Sequence, residues 1–162
     1  MLMPRLAAAV MLTFTALEAQ AQRLTLQEMR SLLGQPLMAD NKFMVSRGYS
    51  YGDVTGNKIA WLSNEGIIYA YALGTERKID RVELSGPTAK WFRGLLNQLP
   101  AAQLLPEGSL RRGVNKTRWR LYAGSDYGVV VYLGGGKTSD GLIVYTLAQY
   151  QMLKQQLRQE PL

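Results

Sequence analysis

From Thr117 to Tyr122 basic and apolar side chains alternate. Successive side chains of a β-strand point to opposite faces, so this pattern predicts a strand with Trp119 and Leu121 turned inward and Arg118 and Arg120 turned out. Asp126–Leu133 and Leu142–Leu147 are apolar runs of strand length, and the three together predict an antiparallel meander. Earlier in the chain, Lys58–Ser63 and Gly66–Leu73 flank Asn64-Glu65 as a hairpin. Lys78–Leu84 supplies another strand, and Tyr49 and Tyr51 suit a short edge strand.

Helical spacing marks four further segments. Thr25-Leu26-Gln27-Glu28 is a capping box, in which the threonine and glutamate satisfy free N–H groups at a helix start. Leu26, Met29, Leu32 and Leu33 share a face of that helix, which Gly34 and Pro36 end. Leu37–Arg47 predicts a second short helix. Pro87 suits the first turn of a third, whose stripe is Trp91, Phe92, Leu95, Leu96 and Leu99. The last runs from about Ala148 to Arg158, with Tyr150, Leu153 and Leu157 inward. Ala101–Gly113 is expected to be irregular and to separate two halves.

Those halves resemble each other. Asn57/Asn115, Lys58/Lys116 and Trp61/Trp119 coincide at a spacing of 58, Gly66/Gly128 at 62 and Leu84/Leu147 at 63. The expected fold is therefore α+β: an antiparallel sheet of about six strands with helices on one face, built from two pseudo-repeated helix-plus-three-strand halves, about 24–99 and 100–162.

The N-terminus reads as an address. Met1–Arg5 is short and positive, Leu6–Leu17 is apolar, and Ala19-Gln20-Ala21 has the small-x-small form of a signal-peptide cleavage site. A twelve-residue apolar run is too short to span a bilayer comfortably, so cleavage after Ala21 and export to a periplasm or the medium are expected. Residues 22–162 would then form one α+β domain. Cleavage removes Arg5 and Glu18, one charge of each sign, and leaves the net charge at +7. That balance favours anionic partners.

Chemistry is restricted by what the sequence lacks. The chain contains neither histidine nor cysteine, which removes His-based acid–base catalysis, thiol nucleophiles and the usual zinc, copper or haem ligands. Asp53, Asp126 and Asp140 sit beside glycine or serine in expected turns and read as turn residues rather than a catalytic pair. Gly134-Gly135-Gly136-Lys137-Thr138 resembles the end of a phosphate-binding loop, but Val131 stands where the pattern needs glycine and a strand follows instead of a helix. Asn115-Lys116-Thr117 matches a glycosylation sequon to which no function is assigned. No enzyme activity, cofactor or metal is expected.

Two surface features remain. Arg111, Arg112, Lys116, Arg118 and Arg120 fall in ten residues free of acids, and period two places Lys116, Arg118 and Arg120 on one strand face. Tyr69 and Tyr71 share a face of one strand, as Tyr132 and Tyr145 do in the second half. The first feature predicts a non-catalytic, inhibitor- or immunity-like protein that binds an acidic protein or an anionic envelope component, with nucleic acid outside the expected partners. The second predicts an envelope structural or folding accessory protein that recognises partners through tyrosine-rich contacts or a sheet edge.

Overall fold

The computed structural model describes residues 23–112, 117–134 and 139–159. Four helices and eight strands follow in the order α1 (Leu26–Ser31), α2 (Asn41–Ser46), β1 (Ser50–Thr55), β2 (Lys58–Ser63), β3 (Gly66–Tyr71), β4 (Arg81–Ser85), α3 (Ala89–Gln98), β5 (Leu105–Arg112), β6 (Thr117–Ala123), β7 (Tyr127–Leu133), β8 (Gly141–Thr146) and α4 (Leu147–Gln159). All eight strands form one antiparallel sheet in the order β1-β2-β3-β4-β8-β7-β6-β5. The α+β class and the antiparallel sheet agree with the sequence, but the strand count is eight rather than about six. Among the described residues no helix is long and apolar enough to cross a membrane.

The strands beyond those six are the sheet's edges: β1, at the short edge strand expected around Tyr51, and β5, which the sequence pattern does not predict. β5 lies inside the segment expected to be irregular. Its sequence Leu-Pro-Glu-Gly-Ser-Leu-Arg-Arg lacks alternation and carries proline and glycine, and it is drawn into the sheet by pairing with β6. Proline and a register shift between Pro106 and Gly108 are tolerated because the outer side of β5 has no strand partner among the described residues. β1 is exposed at every position and is also bulged, between Tyr51 and Val54. The strand expected from Lys78 begins at Arg81. Lys78 forms only an isolated bridge to Pro36.

Residues directly opposite across a ladder share a face, and the registers sort the sheet into two sides. On the first, Ile59, Trp61, Ile68, Ala70, Val82, Leu84, Leu142, Val144, Val129 and Val131 form one core with Leu26, Met29 and Met44 from α1 and α2 and with Trp91, Phe92 and Leu95 from α3. Two indole N–H groups are satisfied within it. Trp61 donates to Asn41 Oδ1 at 3.1 Å and Trp91 to the Leu24 carbonyl at 2.9 Å. The α1 capping box forms between Thr25 and Glu28.

The fourth helix breaks the one-sided expectation. α4 lies on the second face, where Tyr150 joins Leu121, Val130, Ile143 and Tyr145 in a smaller core flanked by Trp119, Leu153 and Leu157. Gly128 makes this approach possible, because a Cβ there would stand 2.2 Å from the Tyr150 ring. Tyr150, fully buried, then donates from its hydroxyl to Glu107 on β5 at 2.8 Å, and Lys154 reaches the other oxygen of the same carboxylate at 2.8 Å. Polar position 149 and the stripe Tyr150, Leu153, Leu157 define a helix face but carry no information about which side of the sheet it will cover. Helices therefore occupy both faces.

The strand order is symmetric about the β4–β8 junction, yet the sequence matches between halves do not follow it. Trp61 belongs to the core under α1–α3 and Trp119 to the one under α4. Gly66 and Gly128 also fall on opposite faces by register. Superposing the halves through these residues would reverse strand order, strand direction and face together. That operation is an inversion, which no rotation of a chain of L-residues can perform. The sheet therefore does not confirm the expected helix-plus-three-strand repeat.

Candidate binding surfaces

Since α1–α3 cover the first face mainly over β2–β4, β8 and β7, and α4 covers the second over β6–β8, each face keeps one open area. Each open area holds one of the two features expected from sequence.

The first open area is the β5–β6 edge. Arg118 and Arg120 alternate with Trp119 and Leu121 as expected, both are exposed, and register places them beside Leu133 and Val131 on the first face. Same-face neighbours on a strand stand about 7 Å apart. Neither arginine has an ion-pair or hydrogen-bond partner among the described residues. On β5, Ser109 lies opposite Arg120 and Arg111 opposite Arg118. Arg112 stands opposite Thr117 and belongs to the other face by register. Lys116 lies outside the described residues, so the three-residue stripe is represented here by Arg118 and Arg120.

The second open area is the outer part of the second face, over β2–β4. Tyr69 and Tyr71 do share this face, with ring centroids 6.3 Å apart and planes tilted by 46°. The Lys58 ammonium sits 3.9 Å from the Tyr69 centroid and 5.6 Å from that of Tyr71, while the Arg81 guanidinium lies 3.8 Å from the Tyr71 centroid. Such cation–ring contacts are worth about 0.5–1 kcal/mol at exposed sites. Glu83 accepts from the hydroxyls of both Tyr71 and Tyr132 at 3.3 Å. Burial, then the Glu83 charge, raise the Tyr71 hydroxyl above its ordinary pKa, so it stays a donor at neutral pH. Sequence reasoning missed Lys58, Arg81 and Glu83 as members of this cluster. The signal was present as alternation in Arg81-Val82-Glu83-Leu84, whose apolar members face the main core.

These surfaces differ in one respect. The charges around Tyr69 and Tyr71 are occupied by rings and by Glu83, whereas those of Arg118 and Arg120 are not. Exposed apolar side chains accompany the tyrosines, with Leu62 42% exposed.

Among the described residues, the three aspartates of the expected turns do not converge. Asp126 pairs with Arg30, whose guanidinium also lies 4.8 Å from the Tyr127 ring, and Asp140 accepts from the Gly134 amide at 2.9 Å. Asp53 stands on β1 beside Thr55, at 3.3 Å. A cleft of about 570 Å³ is lined by Arg30, Glu107, Asp126 and Tyr127, with Asp126 paired to Arg30 and Glu107 held by Lys154 and Tyr150. No cluster of three metal-ligating side chains occurs among the described residues. Residues 135–138 of the glycine-rich loop, and Asn115 of the sequon, lie outside the described residues. No family model matches the chain, and neither a curated protein nor a solved structure is significantly similar to it.

Proposed function

We propose that this chain is an exported, non-catalytic binding protein that engages an acidic protein or an anionic envelope component through the β5–β6 edge. The reading includes removal of the leader after Ala21, a mature α+β domain of residues 22–162, and residence in a periplasm or outside the cell. The observation that carries it is the pair Arg118 and Arg120: exposed, about one strand repeat apart, on an uncovered part of the sheet and without a partner among the described residues. Arginine presents planar, bidentate donors that suit carboxylate and phosphate oxygens.

The test is a titration of fluorescein-labelled poly-glutamate, in low salt, with the protein and with an Arg118→Glu/Arg120→Glu variant of unchanged circular dichroism. The reading expects binding to weaken at least tenfold in the variant. Equal binding would remove these arginines from the interface.

A second reading rests on the open tyrosine face. An accessory protein that recognises partners by aromatic contact would use Tyr69, Tyr71 and the exposed Leu62. It expects partner binding that survives raised salt and fails on Tyr69→Ala/Tyr71→Ala.

A further inference from the structure

Resting on the proposed basic edge, we infer that its ligand is an acidic peptide segment in extended conformation, added as a ninth strand along the free side of β5. Three observations meet there. First, among the described residues β5 pairs only with β6, so its outer N–H and C=O groups have no strand partner there. Such an edge is a template for a further strand, the backbone giving affinity and the alternate side chains giving choice of partner.

Second, the edge is open over a defined length. Pro106 lacks an N–H and the register shifts between Pro106 and Gly108, which confines regular pairing to Gly108–Arg112. This is a docking length of about five residues, not a long aggregating edge.

Third, charge and shape select the occupant. Arg120 lies opposite Ser109, so the side chain between Arg120 and the sheet edge is small. An added strand beyond β5 would stand two inter-strand spacings, about 9.6 Å, from β6, a gap that an arginine from one side and an acidic side chain from the other close over β5. Arg120 can therefore reach over Ser109 towards an acid of an added strand, whereas Arg118 has Arg111 opposite it on β5. The repeat of Arg118 and Arg120 matches acids at alternate positions, since both strands advance about 7 Å per two residues. The opposite edge of the sheet offers no such match. β1 carries Asp53 and no cation, and Lys58 on the neighbouring strand rests on Tyr69. An acidic strand would choose β5.

The experiment compares three labelled probes binding to the full chain by fluorescence anisotropy. One is an eight-residue peptide alternating glutamate with valine or threonine. The second has the same sequence, N-methylated throughout, so that charge is kept and backbone pairing is lost. The third is inorganic polyphosphate. Strand addition expects the unmethylated peptide to bind at least tenfold more tightly than the methylated one. It also expects that preference to disappear in Arg118→Glu/Arg120→Glu, and the amide resonances of Ser109–Arg112 to shift on binding. Equal affinity for the two peptides, both weakened by the variant, would overturn strand addition and leave the basic surface standing. Tighter binding of polyphosphate than of either peptide would overturn it in favour of a polyanion. Peptide binding indifferent to the variant would overturn both readings together.

Discussion

Replacing Gly128 by alanine tests the least expected feature of the fold, the seating of α4 on the second face. A Cβ at this position would stand 2.2 Å from Cγ of Tyr150 and 2.3–2.6 Å from its two Cδ atoms. The contact involves the root of the ring, whose far end is tied to Glu107 at 2.8 Å, so the ring cannot swing away without losing that bond. Alanine in place of glycine normally stabilises by about 0.4–1 kcal/mol through the unfolded chain, where the backbone permits it. Overpacking a filled site costs about 1–3 kcal/mol. The net expectation is a loss of about 1–2 kcal/mol. Chains of this size lose roughly 3–4 °C in Tm per kcal/mol, so the shift should be about 3–8 °C. Urea unfolding followed by far-ultraviolet circular dichroism gives the loss directly, with the slope of the transition unchanged. Combining the change with Tyr150→Leu should recover part of it, so that the two losses fall short of additive. A stabilised Gly128→Ala protein, or strictly additive losses, would refute the placement of Tyr150 over Gly128.

Three further outcomes follow from particular contacts. Trp61 is fully buried and bonded to Asn41, so Trp61→Ala should cost about 3–5 kcal/mol in denaturant unfolding. Thr25→Ala removes the N-cap of α1 and should cost about 1 kcal/mol by the same measurement. The Glu107 carboxyl is held below its ordinary range, first by Lys154 and then by the Tyr150 hydroxyl. A depressed carboxyl stabilises the fold above the unfolded value, about 4.3 for glutamate, and that contribution is lost as pH falls through the folded value. Glu107→Gln should therefore cost about 1 kcal/mol or less at pH 7, and the gap from the unmodified protein should close in acid, measured as Tm against pH.

Much of this architecture was legible because alternation and helical spacing report burial directly. β2, β3, β7 and β8 carry apolar residues at the positions their registers bury, and Thr25 and Glu28 cap α1 through local geometry alone. What was illegible depends on partners distant in sequence. β5 has no strand pattern of its own and exists because β6 pairs with it. The face chosen by α4 depends on a notch at Gly128, a residue that in sequence reads only as a small member of a strand. The candidate surfaces divide the same way. That Arg118 and Arg120 share the strand face opposite Trp119 followed from the alternation, whereas their exposure depends on which part of that face the helices leave open. The cluster of Lys58, Arg81 and Glu83 around the tyrosines required knowing that β2, β3 and β4 are neighbours.

The basic edge is tested most directly by capture from a cell-envelope extract of the source organism. The protein and its Lys116→Glu/Arg118→Glu/Arg120→Glu variant would be used as bait at low and raised salt, after both are shown to be folded. Exposed charges more than about 10 Å apart are screened at 0.1 M salt, so the account predicts a partner that is held at low salt, released at raised salt and absent from the variant. A partner retained by the variant and at raised salt would contradict it and move the interface to Tyr69 and Tyr71.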